Sequence, residues 1–381
     1  MLMARRGGSR SGTNGEGRSG QYDWWLFAIV LVLLCIGVLM VLSASGIVAE
    51  RMNGDKYYFF KRQLVYVGVG GIALWIAASM PRSLLYKLQY PFLFVVVIML
   101  LITLSPLGAR INGAQRWISL KLFSIQPLEF AKVALAFYLA YFMSTKQDLV
   151  KTFSRGIIPP FAVTGLLCCL LLAQPDFGGS AVLAMILFFM CIAGGTRFVY
   201  LFGAIAIGVA TAVALVVYEP YRARRLTAFL DPFQFADREG YQLVQSLYAL
   251  GSGGFFGVGM GGSAQKMFYL PEAHNDFIMA VVGEELGFFG LTLIMGLFAL
   301  MFVRCYRIIM GQRELRDKLS AYGVTLVLAL GAVLNLAVVL GIAPPKGVAM
   351  PFMSYGGSSL VASMLCIGLM LNFSRTGGVR S

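Results

Sequence analysis

Asp276 is the residue best suited by type and setting to move a proton in this chain. It lies in the stretch Lys266 to Gly287, KMFYLPEAHNDFIMAVVGEELG, which sets the carboxylates Glu272, Asp276, Glu284 and Glu285 and the only histidine, His274, against the start of a long apolar run. Charge at the mouth of a membrane helix is expensive to hold and marks function by default. A carboxylate there, near a cavity rimmed by arginine, could accept a proton from a substrate hydroxyl. Burial would raise its pKa and nearby guanidinium groups would lower it. His274 is alone, so it builds neither a histidine-based metal site nor a conventional triad; it reads as a structural histidine orienting a neighbour.

Three further polar patches carry chemistry. In Asn112 to Lys132, NGAQRWISLKLFSIQPLEFAK, the residues Trp117, Ile118, Leu120, Leu122 and Phe123 suit a membrane interface, with Arg116 and Lys121 toward headgroups. Glu129 and Lys132 then fall one turn apart inside an apolar helix, which is either an ion pair or part of a site. The loop YEPYRARRLTAFLDPFQFADREGYQLVQS holds Arg222, Arg224, Arg225 and Arg238 among aromatics, and guanidinium forks suit phosphate or pyrophosphate. In APPKGVAMPFMSYGGSS, Lys346 follows a diproline, while Ser354 and Tyr355 precede Gly356, Gly357, Ser358 and Ser359 at a helix entrance, where backbone NH groups and hydroxyls could grip a phosphate. Asp176, in the turn QPDFGG, reads as the cap of the next helix. The glycine run Gly251 to Gly262 formally contains GxGxxG, but no strand and helix frame it; re-entrant or flexible backbone beside a cavity is the better account.

The elements that must position these groups are membrane helices. Of 381 residues, 59% are hydrophobic and only 13% charged, against about a quarter charged in a soluble globule. The net charge of +14 comes from Lys and Arg that punctuate apolar segments, which indicates topology and anionic lipid and argues against nucleic acid. The six cysteines lie in or beside apolar runs with no CxxC spacing. Apolar stretches of bilayer length recur at 24–43, 64–80, 90–107, 127–144, 156–173, 178–195, 198–218, 277–303, 321–342 and 357–373, about ten helices. The chain is thus expected to be an all-α polytopic membrane protein. Basic short loops place both termini in the cytoplasm, so the large loop 219–276, between helices seven and eight, is extracytoplasmic with 107–126 and 343–356. Residues 1–22 read as a disordered basic tail, 23–374 as one membrane domain, and 375–381 as a short second tail.

In their order and spelling, GAQRW (113–117), QPLEFAK (126–132), QPDFGGS (174–180), FLDPF (229–233), YLPEAHNDFI with GEELG (269–287) and PFMSYGGSS (351–359) resemble the SEDS family of bacterial cell-wall polymerases, over roughly 24–374. Pro345, Lys346 and Gly347 match the PKG or TKG spelling of the division branch, the FtsW type. The resemblance implies a peptidoglycan glycosyltransferase of the bacterial inner membrane, at the division septum. It would polymerise lipid II, the undecaprenyl-pyrophosphate disaccharide-pentapeptide, alongside a class B penicillin-binding protein and other division membrane proteins. Asp276 matches the family's essential aspartate, and Arg116, Glu129, Lys132, Ser354 and Tyr355 match positions lining the adjacent cavity; Arg222, Arg224, Arg225, His274 and Lys346 are added from their chemistry. A divalent cation, Mg or Mn, would be compatible with the leaving pyrophosphate, though no sequence feature assigns one. The alternatives that stay open are a lipid II flippase, a RodA-type polymerase of elongation, and a non-catalytic scaffold.

Overall fold

The computed structural model describes residues 21–375 apart from 112–113, 121–122, 151, 218–219, 264–269 and 271–272; within its helices and strands, the side chains of 110–111, 114, 120, 212, 215–216, 220–223 and 225 also lie outside the description. Each apolar segment of the sequence forms the body of a helix: α1 (Trp24–Asn53), α2 (Tyr58–Ser79), α3 (Arg82–Leu104), α4 (Pro127–Thr145), α5 (Ile158–Ala173, entered through a π turn at Phe153–Ile157), α6 (Phe177–Ala193) and α7 (Phe198–Val217). The large loop contributes α8 (Pro220–Leu230) and α9 (Tyr241–Ser252), and the chain closes with α10 (Ile278–Met310), α11 (Leu315–Val339) and α12 (Gly357–Ser374). Among the described residues eight helices are long and apolar enough to cross a membrane; α6 and the stretch Phe198–Thr211 are apolar but shorter.

The helix α4 is the hub. Past Glu129 and Lys132 in its first two turns it is apolar on every side and rich in alanine, and fifteen of its nineteen residues are buried, as expected for a helix surrounded by others. Without water to drive association, membrane helices rely on close packing through small residues. Gly368 of α12 illustrates this: a Cβ there would stand 2.3 Å from the Leu74 carbonyl oxygen of α2.

One end of the bundle is held by polar clamps. Asp23 caps α1 by accepting from Leu26 N (2.9 Å) and pairs with Arg304 of α10 (2.8 Å). Arg82 and Tyr86 of α3 both bond Asp317 of α11. Asn372 donates its amide to the carbonyls of Ala77, Ala78 and Met80, at 2.9, 3.1 and 2.6 Å, satisfying acceptors that the end of α2 leaves open.

Two features at the opposite end depart from expectation. The Asn112 to Gln126 region, whose residues suit a membrane interface, contributes to a three-stranded antiparallel sheet in a chain expected to be all-α: β1 (Gly108–Ile111), β2 (Ala114–Leu120) and β3 (Phe123–Ile125), in that order. The run RWISL followed by FSI suits strands, because Ile118 stands opposite Ile125 in the register. Secondly, the helix expected from Phe277 to Val303 is broken at Gly287 (φ 68°, ψ −167°), a conformation that only glycine adopts cheaply. The glycine run lies against this break. Val258 N and Gly259 N donate to the carbonyls of Glu284 and Glu285 (3.0 and 3.1 Å), while Phe288 N and Phe289 N donate to Gly254 and Phe255 (2.9 and 3.0 Å). The two helical bonds interrupted by the kink, from Phe288 N to the Glu284 carbonyl and from Phe289 N to the Glu285 carbonyl, thereby have all four of their backbone groups satisfied, as backbone at membrane depth requires. Met260 and Leu286 also line an apolar groove of about 220 Å³ between α1 and α10.

Candidate active site

Asp276 sits in the turn 273–277, just ahead of α10. Asn335 of α11 donates its side-chain amide to the Asp276 carbonyl at 2.7 Å and to the Val348 carbonyl at 2.7 Å. The carboxylate lies over Gly347, where a Cβ would stand 3.1 Å from Oδ2, so the missing side chain gives it room. Its backbone neighbour Lys346 is one of the predicted cations.

Lys346 turns toward Asp176. Its aliphatic stem packs on Gly178, where a Cβ would lie 3.6 Å from Cδ. Burial holds the Lys346 ammonium below the usual lysine range, and the Asp176 charge pulls it partly back up. Asp176 also caps α6, its Oδ1 accepting from Gly179 N at 3.0 Å. A guanidinium nitrogen of Arg116, on β2, stands 3.9 Å from the same oxygen, and Arg116 donates to the Pro175 carbonyl. The buried Asp176, assigned by sequence to capping alone, thus gathers two of the predicted basic residues. Its type and position in a turn gave only the cap; the partners come from β2 and from the last loop.

His274 and Tyr355 meet in an aromatic cluster. Tyr355 N donates to the His274 carbonyl at 2.9 Å, and the two rings lie 5.6 Å apart, with Phe59 of α2 at 4.8 Å from His274 and 5.0 Å from Tyr355. Burial pushes the Tyr355 phenol up to about 12, with Tyr66 adding to the rise; the bond from Arg62 opposes it. Arg62, which also lies 4.9 Å over the Tyr58 ring, is a site-end cation that the sequence reading passed over. The signal available was Lys61-Arg62-Gln63 near the start of an apolar run. Ser354 is buried and its hydroxyl accepts from Met350 N at 2.8 Å, while its carbonyl accepts from Gln63 (3.3 Å), so it shapes the last loop.

Glu129 and Lys132 form a buried ion pair at 2.8 Å in the first two turns of α4. Just N-terminal to it, Leu128 packs on Gly179, one turn from Asp176. Arg224 is exposed on α8. The side chains of Arg222 and Arg225, and Lys266 and Glu272 altogether, lie outside the described residues. Among the described residues no group of three or more His, Cys, Asp or Glu is placed to hold a metal ion. Asp176 stands beside two cationic side chains, Arg116 and Lys346.

A family model described as "Cell cycle protein", covering the FtsW, RodA and SpoVE proteins, matches residues 23–377. Among relatives, the probable peptidoglycan glycosyltransferase FtsW of Trichlorobacter lovleyi is 43% identical, over 94% of this chain and 94% of its own. The stage V sporulation protein E of Bacillus subtilis is 38% identical over 93% and 97%. In structure, a chain from a work on coordinated polymerization and crosslinking by a peptidoglycan synthase complex superposes with a TM-score of 0.78 at 28% identity, covering 94% and 98%. The rod shape determining protein RodA of Thermus thermophilus does so with 0.69 at 27%, covering 94% and 98%. With a family match over nearly its whole length and helices that cross the membrane many times, the chain is a multi-pass membrane protein of the FtsW, RodA and SpoVE family of cell cycle proteins.

Proposed function

We propose that this chain is a peptidoglycan glycosyltransferase that polymerises lipid II at the extracytoplasmic face of the bacterial inner membrane during septal wall synthesis. The observation that carries the reading is Asp276: its backbone carbonyl is tied down by Asn335, and its carboxylate is laid over Gly347, whose neighbour in sequence, Lys346, is a half-buried lysine that faces Asp176. Such a group suits a general base, a role typically worth about 10² to 10⁴ in rate. In the step proposed, the Asp276 carboxylate takes the proton of the acceptor's GlcNAc 4-hydroxyl. That oxygen attacks the anomeric carbon of the donor MurNAc, and the bond to pyrophosphate breaks with its electron pair leaving on undecaprenyl pyrophosphate. A single displacement inverts an α donor into a β-1,4 bond.

Lys346, Arg116 and Arg62 are the cations at this end suited to the charge that grows on the leaving pyrophosphate, which is where stabilisation counts most. The exposed Arg224 suits a headgroup contact at the rim, with the neighbouring Arg222 and Arg225 in the same helical segment. His274 and Tyr355 supply an aromatic wall. A class B penicillin-binding protein is the proposed partner, both termini are proposed to be cytoplasmic, and the PKG spelling at 345–347 favours division over elongation. The polar groups at one end of the bundle suit catalysis there better than passage of a lipid headgroup through the midplane.

The test is glycan-chain formation from labelled lipid II, followed by gel, using the full-length protein with its cognate penicillin-binding protein. Polymer from the wild type and none from a folded Asp276→Asn variant is the expected result. Absence of polymer with every partner tried would leave flipping or scaffolding as the function.

A further inference from the structure

Asn335 is an amide buried within a mostly apolar helix, only 1% exposed, and such a group is costly unless hydrogen-bonded. Its two bonds are short, and both leave from the same nitrogen. One ends on the carbonyl of Asp276, in the turn before α10. The other ends on the carbonyl of Val348, one residue past Gly347. The acceptors thus belong to segments more than seventy residues apart in the chain, and one side chain sets the spacing between them. Because both partners are acceptors, the amide has one usable orientation; its Oδ1 is buried without a hydrogen-bond partner among the described residues. A packing role in α11 would be filled by leucine without that unpaired oxygen. The cost is instead incurred where the amide fixes the backbone of the Asp276 segment against the loop that carries Lys346 and leaves space for the carboxylate at Gly347.

We infer that Asn335 is a positioning residue for the transfer step: by bridging Asp276 and Val348 it fixes the base against the Lys346-Gly347 loop, without touching substrate. The inference rests on the glycosyltransferase reading above. A displacement of the base by about 1 Å is enough to cost on the order of 10²-fold in rate.

The experiment compares Asn335→Leu and Asn335→Asp with wild type and Asp276→Asn, all full-length and with the partner present, over a range of lipid II concentrations and with thermal unfolding in the same detergent. Leucine keeps the volume and removes the donors; aspartate keeps the shape and faces both carbonyls with oxygen. The expected result is a kcat lower by about 10²-fold in a variant that stays folded, with KM for lipid II within about threefold of wild type, the split that marks loss of transition-state geometry and not of binding. Near-wild-type kcat in a folded variant would overturn the inference. So would a rise in KM at unchanged kcat, or failure of both variants to fold, which would assign Asn335 to stability. A wild type that makes no polymer would instead sink the glycosyltransferase reading.

Discussion

Arg116 of β2 and Asp176 at the start of α6, 60 positions apart in the chain, stand 3.9 Å from each other, and the same carboxylate acts on Lys346 from the last loop. One acid therefore joins three segments that have little in common in sequence. Its cap and its charge can be separated by substitution.

Asp176→Asn keeps a side-chain acceptor for Gly179 N but removes the counter-charge. Lys346, already below the usual range through burial, then loses the group that raises it, so its pKa falls further. The alkaline limb of the kcat/KM profile for polymerisation is expected to move to lower pH. Asp176→Ala loses the cap as well and should cost about 1 kcal/mol more in stability. A pH-rate series on the two variants, with thermal melts alongside, checks both statements.

The Glu129 and Lys132 pair is predicted to be indispensable as a pair. Lys132→Met alone leaves a buried carboxylate without its cation and should destabilise by roughly 3–5 kcal/mol, whereas Glu129→Gln combined with Lys132→Met should restore most of the stability. Polymerisation by the double variant then reports whether the charges serve the reaction: it is expected to remain low despite a recovered melting temperature. Full activity would assign the pair to folding alone.

Tyr355→Phe keeps the ring against His274 and Phe59 and removes the acceptor for Arg62. With a phenol at about 12, Tyr355 does not titrate near neutrality. The variant's pH profile should keep its shape below about pH 10, with only its height reduced. A lost limb in that range would show that Tyr355 carries the proton.

Gly287→Ala meets two penalties. The residue sits at φ 68°, and a Cβ would come within 2.3 Å of Gly257 N. Strain of this kind costs of order 1–3 kcal/mol before the clash is counted, so the variant should unfold well below the wild type in detergent. Gly296, in the same helix with open space around it, is the control, and its alanine variant should melt near or above wild type.

Hydropathy made the helices legible, because a bilayer demands long apolar runs with their hydrogen bonds closed internally. It did not reveal the break at Gly287: that depends on a glycine segment some thirty residues earlier, whose partners no periodicity encodes. The sheet from Gly108 to Ile125 was hidden for a related reason, since a basic segment carrying Trp117 among aliphatic residues reads equally well as an interfacial anchor. Asp276, Lys346 and Tyr355 were legible as exceptional polar residues beside apolar runs. Asn335 was not, because a single asparagine in a helix of leucine and valine gains meaning only from the two carbonyls it meets.

The replaced hydrogen bonds at the break in α10 also bear on how the protein is made. The half of α10 that follows Asp276 leaves the ribosome after the glycine segment that completes it. As the second half of α10 enters the bilayer, its first amides need acceptors already in place, and these belong to Gly254 and Phe255. The acceptors for the second half of α10 are therefore synthesised before it, and that half closes its hydrogen bonds only with the loop before it in place.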